Sequence, residues 1–162
     1  MKPVRLNNNE RALLEVEERF YNILDAGAEA GVYAYHALGS TFVLPEERRF
    51  TNLEQIQRYV DDALETPFFG IMSRELGRIP TIKVKASAYD NRASHHNGTI
   101  SIPDNVEWRR ELVVLHELSH HFGGQGHGKR YLESYFKIIS EMMNPQLSLL
   151  MSAELDKKMR SE

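Results

Sequence analysis

Apolar residues recur at helical spacing over several stretches of this chain and alternate with polar ones over shorter stretches, which predicts a helical protein with a small sheet. Leu13, Val16, Phe20, Ile23 and Leu24 form one stripe and predict a helix over 9–30 that Gly31 ends. Val32-Tyr33-Ala34-Tyr35 reads as a short strand, and 39–50 as a loop or a loose strand around Thr41-Phe42-Val43-Leu44. Thr51-Asn52-Leu53-Glu54 matches a capping box, opening a helix with Leu53, Ile56, Val60 and Leu64 on one face; Thr66-Pro67 ends it. The segment 68–76 reads as a short helix.

From Pro80 the period changes to two. Ile82, Val84 and Ala86 alternate with Thr81, Lys83 and Lys85, as in a half-buried strand. The polar stretch 87–98 reads as a loop with a second short strand near Ala88-Tyr89, and Thr99-Ile100-Ser101-Ile102 as a strand stopped by Pro103. Asp104-Asn105-Val106-Glu107 supplies a helix start, followed by an apolar face at Trp108, Leu112 and Leu115. Gly128 opens a further helix with Leu132, Tyr135, Phe136, Ile139 and Met142 inward, and Pro145 begins a last one whose end frays from Asp156. No repeat or linker interrupts the series, so the pattern predicts one α+β domain over 1–162.

Composition narrows the class. The chain has 162 residues, 41% apolar and 27% charged, enough for a sizeable core and ordinary for a globular protein. A net charge of −3 does not support a general grip on nucleic acid, and Arg48-Arg49, Arg109-Arg110 and Lys129-Arg130 read as solvated faces. With no cysteine, neither a disulfide framework nor a thiolate metal site can form. Met1 to Asn9 lacks the apolar core of a signal peptide, and no apolar run is long enough to span a bilayer, so a cytoplasmic location and no membrane partner are expected.

The chemistry concentrates in His116-Glu117-Leu118-Ser119-His120. Histidines at i and i+4 share one helix face and can grip one metal ion, and the intervening glutamate is placed to accept a proton from the attacking water. Zinc in a catalytic site has three protein ligands and one open position. His127, reached through Phe122-Gly123-Gly124-Gln125-Gly126, is one candidate third ligand, because Gly126 and Gly128 flank it with the backbone freedom a reversing turn needs. Its rival is a glutamate on the next helix, Glu141 or Glu133. The metzincin spacing is not met: it calls for a histidine where Gly126 stands.

The block His116-Glu117-Leu118-Ser119-His120, followed by Gly126-His127-Gly128-Lys129-Arg130-Tyr131, resembles the core of SprT-like zinc metallopeptidases. Closer still, the segment from Ile100 to Tyr131 resembles a family of small uncharacterised bacterial and phage putative metallohydrolases related to them. The resemblance covers about a third of the chain. It implies a zincin-like domain, with a small, mostly antiparallel sheet packed against the motif helix and helices at either end. It also implies His127 as third ligand, Zn2+ as cofactor, Glu117 as general base and a protein or peptide substrate. By the family's arrangement, an extended peptide would pair along the strand from Thr99 to Ile102.

The remaining polar residues carry weaker expectations. His121 projects about 100° around the helix from His120 and is read as packing or a contact behind the ligands. His95-His96 is read as an exposed loop, His36 has no motif around it, and Tyr131 is expected to pack behind a ligand. The methionines at 142, 143, 151 and 159 read as core or tail packing. Two other functions compete with peptide hydrolysis: a zinc hydrolase acting on nucleic acid, and a silent module in which zinc only fastens the motif helix. Neutral imidazoles suit zinc among the available ions.

Overall fold

The computed structural model describes residues 7–77 and 81–161. Pro80, where the alternation begins, and the first six residues lie outside that range. The chain is α+β: α1 (Asn8–Ala30), β1 (Ala34–Ala37), β2 (Ser40–Val43), α2 (Leu53–Leu64), α3 (Pro67–Leu76), β3 (Lys83–Ala86), β4 (Ser94–His96), β5 (Thr99–Ile102), α4 (Glu111–Gly123), α5 (Lys129–Met142) and α6 (Pro145–Arg160).

Helix α1 follows its apolar stripe. Asn7 accepts from the Glu10 amide at 2.9 Å while Glu10 accepts from the Asn7 amide at 3.0 Å, and Gly31 at φ 66° ends the helix. The stripe buries Leu13, Val16, Phe20 and Leu24, and with them Glu17. Helix α2 is capped one residue later than the sequence suggests: Asn52, not Thr51, accepts from the Gln55 amide at 2.9 Å. Pro67 begins α3 instead of only ending α2, since its ring angle suits a first helical turn. The last helix runs to Arg160 instead of fraying at Asp156, with Lys158 held to Glu15 of α1 at 2.9 Å.

The strands differ more from expectation. β1 and β2 form a hairpin through Leu38-Gly39, both at positive φ, as two-residue hairpin turns require. In the other sheet, order β3-β5-β4, β5 pairs with β3 in parallel and with β4 antiparallel. That sheet is therefore mixed, and β5 lies in its middle. No strand forms at Ala88-Tyr89. The second strand is Ser94–His96 instead, joined to β5 by Asn97-Gly98 at φ 45° and 76°. The outer side of β3 is closed by Gln57 of α2, whose amide donates to the Ile82 carbonyl at 2.8 Å and accepts from the Val84 amide at 2.7 Å.

Helix α4 lies against β4, β5 and α5, and every one of its residues is buried except the half-buried His116. It starts at Glu111, not at Glu107. The preceding residues turn instead, with the Asn105 side chain accepting from the Glu107 and Trp108 amides at 3.1 and 3.2 Å. The chain then pairs with a distant segment: the Phe50 amide donates to the Arg109 carbonyl and the Glu111 amide to the Arg48 carbonyl. This pairing holds Arg110 extended and delays the helix. Arg109 and Arg110 are not a surface patch, because Arg110 is buried against Glu47 and Asp25, and Arg109 holds Asp104.

Candidate metal centre

Three structural facts bring the histidines together. His116 and His120 sit one turn apart on α4. Gly123, at the end of that helix, lets α5 approach: a Cβ there would stand 2.6 Å from the Tyr131 Cα. Gly124 and Gly126, both at positive φ, then reverse the chain so that His127 returns to the motif face.

The outcome is a cluster in which one ligand atom each from His116, His120 and His127 lies within 4.8 Å of the others. The Nε2 atoms of His116 and His127 are 3.1 Å apart. No fourth residue joins the group among the described residues. Glu133 and Glu141 are both exposed on α5, and Glu133 faces Lys129 at 4.0 Å, so neither rival third ligand reaches the cluster.

Each ring is oriented from behind. His116 Nδ1 meets the Glu17 carboxylate at 2.7 Å, and the same carboxylate oxygen accepts from the Tyr135 hydroxyl at 2.7 Å. His120 Nδ1 meets the Gly124 carbonyl at 3.0 Å. Glu10 stands 3.7 Å from His127 Nδ1, beyond hydrogen-bond length but near enough to orient the ring electrostatically. These contacts leave the Nε2 atoms turned toward one another, the arrangement in which an outer carboxylate or carbonyl fixes the tautomer of a metal-binding imidazole. Tyr131 packs against the histidines, its ring 4.3 Å from that of His120 and its hydroxyl donating to the His116 carbonyl at 3.0 Å.

Electrostatics separate the three rings. Burial disfavours a charge on His116, but the Glu17 carboxylate outweighs it through both charge and hydrogen bond, pushing the pKa up to about 9. Burial takes His120 down to about 3, against the Gly124 carbonyl and with the help of the neighbouring rings. His127 is lowered too, by burial first and then by the charge of His116. The Nε2 atoms of His116 and His127, 3.1 Å apart, thus face each other with opposite preferences for a proton. Glu117, only 6% exposed, is raised to about 7 by burial, opposed by His116 and assisted by Glu17.

Glu17 and Glu10 were not legible as site residues, although a signal existed. Glu17 stands four residues after Leu13, inside the apolar stripe of α1, where a carboxylate costs free energy unless it has a partner. His121 is buried and turned away from the cluster, its Nδ1 3.3 Å from His95 Nε2. His95 is half-buried on β4 against that ring, and not in an exposed loop; His96 beside it is exposed. His36 lies on β1 and meets Thr41 Oγ1 at 2.8 Å. Of the methionines, Met151 is buried, Met142 and Met143 are half-buried and Met159 is exposed.

The donor set could hold a metal ion: three imidazoles, with no fourth protein ligand in the group among the described residues. No protein-family model, curated protein or solved structure matches the chain. Among the described residues no helix is long and apolar enough to cross a membrane.

Proposed function

We propose that the chain is a zinc-dependent metallopeptidase of zincin type, related to the SprT-like enzymes. One observation carries the reading: three imidazoles converge with their outer nitrogens turned to Glu17, the Gly124 carbonyl and Glu10, beside a buried glutamate whose pKa sits at about 7. His116, His120 and His127 hold the ion, which supplies Lewis acidity toward a carbonyl and toward water.

Glu117 is the general base. A carboxylate poised near neutral pH both accepts and returns a proton efficiently. As water oxygen attacks the scissile carbonyl carbon, Glu117 takes the water's proton. It passes that proton to the amide nitrogen as the C–N bond breaks, leaving a carboxylic acid and an amine. Tyr131 orients: its hydroxyl is already engaged by the His116 carbonyl.

Strand pairing with substrate, expected along Thr99–Ile102, moves to β4. Both sides of β5 are taken, whereas among the described strands β4 pairs only with β5 and lies against α4.

The test is Glu117→Gln in the zinc-loaded protein, assayed on an unfolded protein substrate. Turnover should fall by about 10²–10⁴-fold, the usual contribution of a positioned base, with zinc content and melting temperature retained. Full activity in that variant sinks the mechanism, and cleavage of RNA but not of protein by the native chain sinks the substrate class.

A further inference from the structure

The three rings are not supported alike. His116 and His120 each have an outer partner at hydrogen-bond length, the Glu17 carboxylate at 2.7 Å and the Gly124 carbonyl at 3.0 Å. His127 Nδ1 is buried and makes no hydrogen bond. A buried polar atom left unmet costs free energy, so beside two supported rings this nitrogen marks an incomplete contact. The group facing it is Glu10, whose Oε1 stands 3.7 Å away.

Glu10 is already in use. Its Oε2 accepts from the Asn7 amide at 3.0 Å while its own amide donates to Asn7 Oδ1 at 2.9 Å, so one carboxylate closes the capping box of α1. A carboxylate has two oxygens, and a capping box occupies only one of them. Here the second oxygen stands over a candidate ligand ring. A charge-assisted N–H···O bond is about 2.7–2.9 Å long, so Oε1 would have to approach by roughly 1 Å to make one.

We infer that Glu10 positions His127, and that the capping box of α1 and the occupancy of the metal centre are coupled through it. The inference rests on the metal-binding part of the proposed function. An ion on Nε2 confines the ring hydrogen of His127 to Nδ1, where an outer carboxylate fixes the ring and raises its basicity. Turning about its Oε2 contact, Glu10 brings Oε1 onto that hydrogen with the cap kept. Occupancy therefore tightens the first turn of α1, and a closed cap holds His127 ready for the ion, since the coupling is one free energy read from two sides. The Glu10 side chain is 25% exposed where that of Glu17 is 3%, so this support is the looser of the two and the adjustable one. Asn7 enters the site at one remove, as the residue that holds Glu10.

The experiment measures zinc affinity by competition with a chelating dye, and amide hydrogen exchange with and without zinc, on the whole chain. Glu10→Gln keeps an oxygen for the Asn7 amide and removes the charge. Its zinc affinity should fall about tenfold, the low end of the range for losing an outer partner. Asn7→Ala, which takes the acceptor from the Glu10 amide, should show a smaller fall. Asn52→Ala removes the corresponding cap of α2, where Oδ1 accepts from the Gln55 amide at 2.9 Å, and should leave zinc affinity unchanged. Zinc should slow exchange at the Glu10 and Arg11 amides, which donate to Asn7 Oδ1 and to the Asn7 carbonyl, and should not do so in Glu10→Gln. Native affinity in Glu10→Gln overturns the coupling and leaves the metal centre standing. An equal loss in Asn52→Ala shows only the effect of a lost cap and overturns the coupling as well. Failure of the native protein to bind zinc overturns both.

Discussion

The first turn and the middle of α4 are each tied down by buried carboxylates, and they differ in where the polar network stops. At the N-terminal end, Glu111 accepts from the Tyr59 hydroxyl at 2.7 Å and from the Arg48 amide at 2.9 Å. Beside it, the Arg110 guanidinium is clasped by Glu47 and Asp25, and Glu47 also accepts from the Leu112 amide at 3.0 Å. There the Arg110 charge meets its opposites, and the Glu111 carboxylate is satisfied by a hydroxyl and an amide. One turn further along the same parts recur, with Glu17 accepting from the Tyr135 hydroxyl and holding His116. That network runs through the imidazole and ends at three like nitrogens facing one another. A closed network is scaffold. An open one ending in bases could hold a metal ion.

That contrast can be broken at either end. The largest effect is expected from Arg110→Ala, which strands Glu47 in a site where its side chain is 4% exposed. Stability should fall by about 3–5 kcal/mol in denaturant unfolding, with zinc affinity per folded molecule unchanged. At the open end, His127→Ala should leave the apo-protein folded but weaken zinc binding by more than about 100-fold, beyond the usual effect of losing an outer partner. Calorimetry on both variants separates the two roles.

A pH scan sharpens the comparison. His116 is raised from 6.5 to about 9, so the stability of its pairing with Glu17 is fully present below the unfolded value and is lost as pH rises through the folded one. Between pH 7 and 9 the metal-free protein should lose roughly 2–3 kcal/mol of stability, and a flat profile would contradict the pairing. The smallest change is Glu17→Gln, an isosteric swap that keeps the hydrogen bond to Tyr135. Zinc affinity should fall about 10–100-fold and the slope of stability between pH 7 and 9 should disappear.

What the sequence disclosed follows the range of the interactions involved. The motif histidines, Glu117 and His127 could be read because they lie within eleven positions of one another and their geometry is that of one helix and one turn. Glu17 could not, because its partner is ninety-nine positions away and its only local trace is a carboxylate in an apolar stripe. The start of α4 was misplaced for the same reason: pairing with the segment around Phe50 overrides a local capping pattern at Asp104. Strand β4 was missed because Ser94-His95-His96 has no apolar alternation, although Asn97-Gly98 behind it is a strong hairpin signal. The α5 stripe was rotated slightly, with Tyr131 and Ile138 taking the inward places expected of Leu132 and Met142, since α5 faces the ligands as well as the core.

All three histidines come from a single short segment, so the unfolded chain already carries the three donors within eleven positions of one another. On the zinc reading, an ion would find all three donors before α1 has docked. The cost is thermodynamic: a ligand that also binds the unfolded chain stabilises the native state by less than its native affinity would give. What native folding adds is Glu17, delivered from the far end of the chain. The difference in zinc affinity between folded protein and isolated segment therefore measures how firmly the first helix is held.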